Sequence, residues 1–183
     1  MPDMPTTNRM NNVALDQVAA FGKQIEMDKT KARRSQVIEG EWLLQEGGPQ
    51  FRSTIKFEGG TAVFEVDNPT FMGGGGKMPG PMHYCFYGLA SCYTGMFATI
   101  AAMMGIPLTR LTVKVEADTN FERAFGLGDA PTIEEVRVTL YVVSPAPAEK
   151  IREAEELALQ RCPVVYTLRN PIKLTPRIEI TAG

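Results

Sequence analysis

Apolar and polar residues alternate along several stretches of the chain, the signature of half-buried strands. Leu111, Val113, Val115 and Ala117 are separated by polar positions, and Val136, Val138, Leu140 and Val142 repeat the pattern within 133–143. Shorter strands are predicted over 36–44 and 177–181. Strands over 51–57 and 61–66 flank Gly59-Gly60, which signals a hairpin. Three other stretches carry helical spacing. Val13, Leu15, Val18, Phe21, Ile25 and Met27 predict a helix over 12–31, and Ile151, Ala154, Leu157 and Ala158 predict one over 147–160. The latter ends before Cys162-Pro163, because proline disfavours helix at the residue preceding it. The third, 81–105, opens on Pro81 after Gly80 and stops at Gly105 with Pro107 beyond. The order αβββ–α–ββ–α–β is that of an α+β fold. The expected division is an N-terminal helical arm, 1–32, and a single α+β domain, 33–183.

The third helix is apolar on every side (Tyr84, Phe86, Leu89, Tyr93, Phe97, Ile100), so it is expected to be buried. It lies within 32 consecutive residues, Met78 to Thr109, that contain no Asp, Glu, Lys or Arg. The run is long enough to span a bilayer. His83, Ser91, Thr94, Thr99 and several glycines within it, and amphipathic strands on both sides, favour a helix buried in protein instead.

Composition narrows the function classes. The 183 residues include 19 Lys+Arg and 21 Asp+Glu, a net charge of −2 that argues against a nucleic-acid binder. A single His excludes a multi-histidine metal site within the chain, and no metal or other cofactor is expected. Three Cys are too few for a secreted disulfide framework. No apolar run marks residues 1–12 as a secretory signal, so a cytoplasmic location with reduced thiols is expected.

Glycines 73–76 lead towards a helix, but Gly76-Lys77 is followed by Met78-Pro79 rather than the Ser or Thr of a phosphate loop. A flexible or closely packed turn is expected there. Cys85 and Cys92 share a helix face about 10.5 Å apart along the axis, beyond the roughly 7 Å that a disulfide tolerates between Cα atoms. Cys162 can pair with either as far as sequence goes. A reactive Cys92 lies too deep in its helix for the helix dipole to act on it, so it needs a cation beside it. The candidates are Arg52, Arg34, Arg110 and Lys77.

The segment Pro81-Met82-His83-Tyr84-Cys85-Phe86-Tyr87-Gly88-Leu89-Ala90-Ser91-Cys92-Tyr93 resembles the cysteine-bearing central helix of the OsmC/Ohr family. Asp67-Asn68-Pro69 followed by glycines 73–76 resembles the family's approach to that helix, and 101–111, with Gly105-Ile106, its exit. Residues 158–168, with Cys162-Pro163, resemble the second-cysteine motif. The likeness extends from about position 37 to 180 and leaves out the arm.

The resemblance implies antiparallel sheets wrapped around two central helices in an intertwined homodimer. It implies thiol-dependent reduction of hydroperoxides, with Cys92 as the attacking thiol and Cys162 as the resolving thiol. Arg52 falls nearest the arginine that activates the thiolate in organic-hydroperoxide-resistance members. Those members orient that arginine with a Glu after the helix-opening proline, where this chain has Met82 followed by His83. Phe71, Met72, Met82, His83 and Phe97, with Met96, are expected to line an apolar substrate pocket. An external dithiol, lipoyl or thioredoxin-like, is the expected reductant, and neither nucleic acid nor membrane is an expected partner. The alternative is a non-catalytic dimeric stress or small-molecule-binding protein whose cysteines are structural.

Overall fold

The computed structural model describes residues 8–181. The first seven positions of the expected arm, and with them most of 1–12, lie outside the described residues. The elements run β1 (Arg9–Met10), β2 (Val13–Ala14), α1 (Leu15–Met27), β3 (Gly40–Trp42), β4 (Phe51–Phe57), β5 (Gly60–Val66), α2 (Pro81–Met103), β6 (Arg110–Ala117), β7 (Val136–Val143), α3 (Ala148–Arg161) and α4 (Pro163–Arg169). Every strand pairing is antiparallel: β1 with β2, β4 between β3 and β5, and β6 with β7. The mixture of helices and antiparallel sheets is the α+β architecture expected.

The core is built on α2. Leu89, Tyr93, Phe97, Ile100 and Ala101 pack with Ala154 and Ala158 of α3, with Cys162 and with Val165 of α4. Ala154 and Ala158 lie one helical turn apart and are fully buried. Their small side chains let α3 approach α2 closely. Val115 of β6 and Val136, Val138 and Leu140 of β7 cover the same cluster. The uncharged stretch thus supplies the central core helix. By length and composition alone α2 could cross a membrane; its buried face is instead covered by α3, α4 and the β6–β7 sheet.

Three elements differ from expectation. The arm does not begin as helix: Asn11 and Asn12 take left-handed φ of 53° and 63° and turn β1 back onto β2, so α1 starts only at Leu15. Asn11 also ties the arm to the turn after α2. Its Nδ2 donates to Ile106 O at 2.9 Å, and its Oδ1 accepts from Leu108 N at 2.8 Å. Residues 177–181 form no strand, and Ile178 and Ile180 are exposed. Beyond Cys162 the chain does not leave helix for long, because Pro163 opens the further helix α4.

Candidate functional site

The site is set by a break between two helices. Cys162 ends α3 and precedes α4, with an extended backbone at φ −71° and ψ 120°. The extended state is what a following proline imposes, and that proline then suits the first position of the next helix. The break turns the Cys162 side chain into the core, where it is 0% exposed. There its Sγ–H donates to Cys92 Sγ at 3.4 Å. This is a contact between two free thiols, well short of the ~2.05 Å of a disulfide. The start of α4, whose first N–H groups have no partner within the helix, adds a second influence: the Val164 backbone favours a thiolate at Cys92. Cys92 itself is only partly buried, and Cys85 is exposed. The structure therefore pairs Cys162 with Cys92 and leaves Cys85 apart.

Burial is the main influence on Cys92 and pushes its thiol above the ordinary value. The Val164 backbone pulls the other way, and the charge that Cys162 would carry as a thiolate adds to the rise. Arg52 is not among the groups acting on that sulfur, nor are Arg34, Arg110 or Lys77. Arg52 lies on β4 directly opposite Glu65 on β5. Its Nε and Nη2 both reach Glu65 Oε1, at 2.9 and 2.7 Å. A carboxylate thus holds this arginine, but it comes from the neighbouring strand rather than from the position of Met82.

Glycines 73–76 form a tight turn closed around a carboxylate of the chain itself. Asp67 is 1% exposed; its Oδ2 accepts from Gly75 N at 3.1 Å and from Lys77 N at 3.0 Å. These N–H groups are the ones a phosphate would need, and they are already taken. A Cβ on Gly74 would stand 2.0 Å from Asn68 O, and Gly73 and Gly76 have φ of +79° and +64°. The turn delivers the chain to Gly80, whose N–H donates to His83 Nδ1 at 3.1 Å, while His83 N donates to Gly80 O at 3.0 Å. His83 is thereby a cap of α2.

Residues 74–177 match the family model described as OsmC-like protein, which is more than half of the chain. The chain belongs to the OsmC-like family. Among solved structures it is similar to an OsmC-like protein from Mycoplasma pneumoniae, at 19% identity and a TM-score of 0.56, covering 74% of this chain and 88% of that one. It is also similar to the organic hydroperoxide resistance protein OsmC from Legionella pneumophila, at 14% identity and a TM-score of 0.51, covering 75% and 92%. At these identities the likeness is one of fold. A comparison with curated proteins finds no match.

In this OsmC-like chain Phe71, Met72, Met82 and His83 line one cavity of about 480 Å³. Phe121 completes it, its ring meeting Phe71 edge-on at 5.2 Å between centroids. Phe97 does not join them: it is fully buried in the core between α2 and α3. A second cavity, of about 620 Å³, is lined by Met82, Cys85, Leu89, Tyr93, Glu155 and Val164 among others, and by neither Cys92 nor Cys162. Sequence reasoning missed three participants. Glu65 was within reach, because the hairpin register places it opposite Arg52. The Val164 backbone follows from α4. The hydrogen bond from the Tyr93 hydroxyl to Glu155 joins residues 62 apart and carries no local signal.

Proposed function

We propose that this OsmC-like protein is a thiol peroxidase that reduces peroxides, organic hydroperoxides foremost and hydrogen peroxide besides, in defence against oxidative stress. The observation that carries the reading is the contact of two unequal thiols: a buried Cys162 donating to a more accessible Cys92 at 3.4 Å. In the proposed reaction the Cys92 thiolate attacks one peroxide oxygen. The O–O bond breaks, the alcohol leaves with a proton, and Cys92 becomes a sulfenic acid. Cys162 then attacks that sulfur; an S–S bond forms and water leaves. An external dithiol, lipoyl or thioredoxin-like, restores both thiols by exchange, which suits a cytoplasmic location. The electrons come from thiols throughout, so the reaction calls on no cofactor.

A thiolate at neutral pH needs a cation, and among the described residues of a single chain none acts on Cys92. We infer that the protein acts as an intertwined homodimer, its sheets wrapped around the central helices, in which Arg52, held by Glu65, reaches Cys92 of the second copy. The cavity of Phe71, Met72, Met82 and His83 has the apolar lining that an alkyl or lipid hydroperoxide calls for.

The raised Cys92 thiol favours a second reading, a non-catalytic dimeric stress or small-molecule-binding protein with structural cysteines. Mixing the reduced protein with cumene hydroperoxide separates the two. The peroxidase reading expects turnover that Cys92→Ser abolishes, and a single fast turnover with a trapped sulfenic acid in Cys162→Ser. Peroxide loss at the wild-type rate in Cys92→Ser would overturn it.

A further inference from the structure

Tyr93 follows Cys92 on α2, and Glu155 stands seven residues before Cys162 on α3. The Tyr93 hydroxyl donates to Glu155 Oε1. Tyr93 is buried, and its phenol is held above its ordinary range by that burial first, then by the bond to Glu155 and its charge, with Cys162 last. It is a permanent donor at working pH. The two helices are therefore bridged twice, once by the sulfurs and once by this bond, about two turns apart along α3. Between the bridges α3 presents Ala158, and Ala154 lies just before the first of them. Apolar contacts are non-directional and resist sliding poorly, whereas a hydrogen bond restricts both distance and angle.

We propose that the Tyr93–Glu155 bond is a positioning device that keeps the Cys162 sulfur in register with Cys92 for disulfide formation. In the reduced protein the S–H···S contact helps to join the helices. Once Cys92 carries oxygen that contact is altered, and the second bridge keeps Cys162 in place. The step it serves breaks the S–O bond of the sulfenic acid and forms S–S, while the Cys162 proton leaves with the hydroxyl as water. Tyr93 and Glu155 act through the placement of the sulfurs, not on the reacting atoms. The inference rests on the peroxidase reading only for the source of the sulfenic acid.

The test has two arms. In the first, without peroxide, full-length protein is equilibrated with mixtures of oxidised and reduced dithiothreitol, and the Cys92–Cys162 disulfide is quantified after alkylation. Tyr93→Phe and Glu155→Leu are expected to shift the equilibrium towards thiols by about tenfold, through lost effective concentration. Glu155→Gln, whose amide oxygen still accepts from Tyr93, is expected to stay near wild type. In the second arm, with cumene hydroperoxide, the same two variants are expected to lengthen the life of the sulfenic acid by about tenfold and leave its formation rate unchanged. A loss of folding would slow both steps and alter the circular dichroism. Wild-type behaviour of Tyr93→Phe and Glu155→Leu in the first arm would overturn the proposal, as would Glu155→Gln behaving like Glu155→Leu. A wild-type protein that forms the disulfide with dithiothreitol but never with peroxide would refute the peroxidase reading alone.

Discussion

Cys92 sits in a conflict between burial, which opposes its thiolate, and the Val164 backbone, which supports it. Because its folded value is raised, alkylation of isolated chains by iodoacetamide should keep accelerating above pH ~8.5. Asp67 has the opposite sign. The Lys77 and Gly75 N–H groups hold its carboxyl below the ordinary range. Such a group contributes stability that is full above its unfolded value of about 4 and is lost as pH falls through the folded one. Asp67→Asn should therefore lower the melting temperature at pH 7 and flatten its acid dependence below pH ~4. At this scale the sequence was legible where one local rule decides, as at Cys162-Pro163. It was not legible at Tyr93–Glu155, a contact fixed only when two helices pack.

The glycine turn explains its own composition. Gly74→Ala would drive a methyl group into the Asn68 backbone. The substitution should cost about 2 kcal/mol in urea denaturation, within the range of overpacked sites. Elements were readable where periodicity and partner agree: β6 and β7 were expected over 111–117 and 133–143 and occur at Arg110–Ala117 and Val136–Val143. The alternation at 177–181 misled because Ile178 and Ile180 pair with no strand among the described residues. The arm misled because Val13 and Ala14, at the start of the helical repeat, are folded back by the Asn11–Asn12 turn to pair as β2.

Taken as one chain, the molecule leaves much apolar surface bare. Phe57 and Val63 on the hairpin, Tyr87 and Met103 on α2, and Tyr141 on β7 are all exposed. A cavity of about 570 Å³ between the three-stranded sheet and the start of α2 is lined by Trp42, Phe51, Phe64, Tyr84 and Tyr87. Surface of this kind is what the proposed second copy would cover. Sedimentation should show a dimer. If Arg52 acts across it, mixed Cys92→Ser and Arg52→Gln subunits should regain about a quarter of wild-type activity by random pairing; action within one chain predicts none. The central claim reduces to a stoichiometry. Reduced protein is mixed with substoichiometric cumene hydroperoxide, and lost hydroperoxide is counted against new disulfide by mass spectrometry. The account predicts one Cys92–Cys162 disulfide, and the loss of two thiols, for each hydroperoxide consumed. Hydroperoxide that persists beside unchanged Cys92 and Cys162 thiols would contradict it.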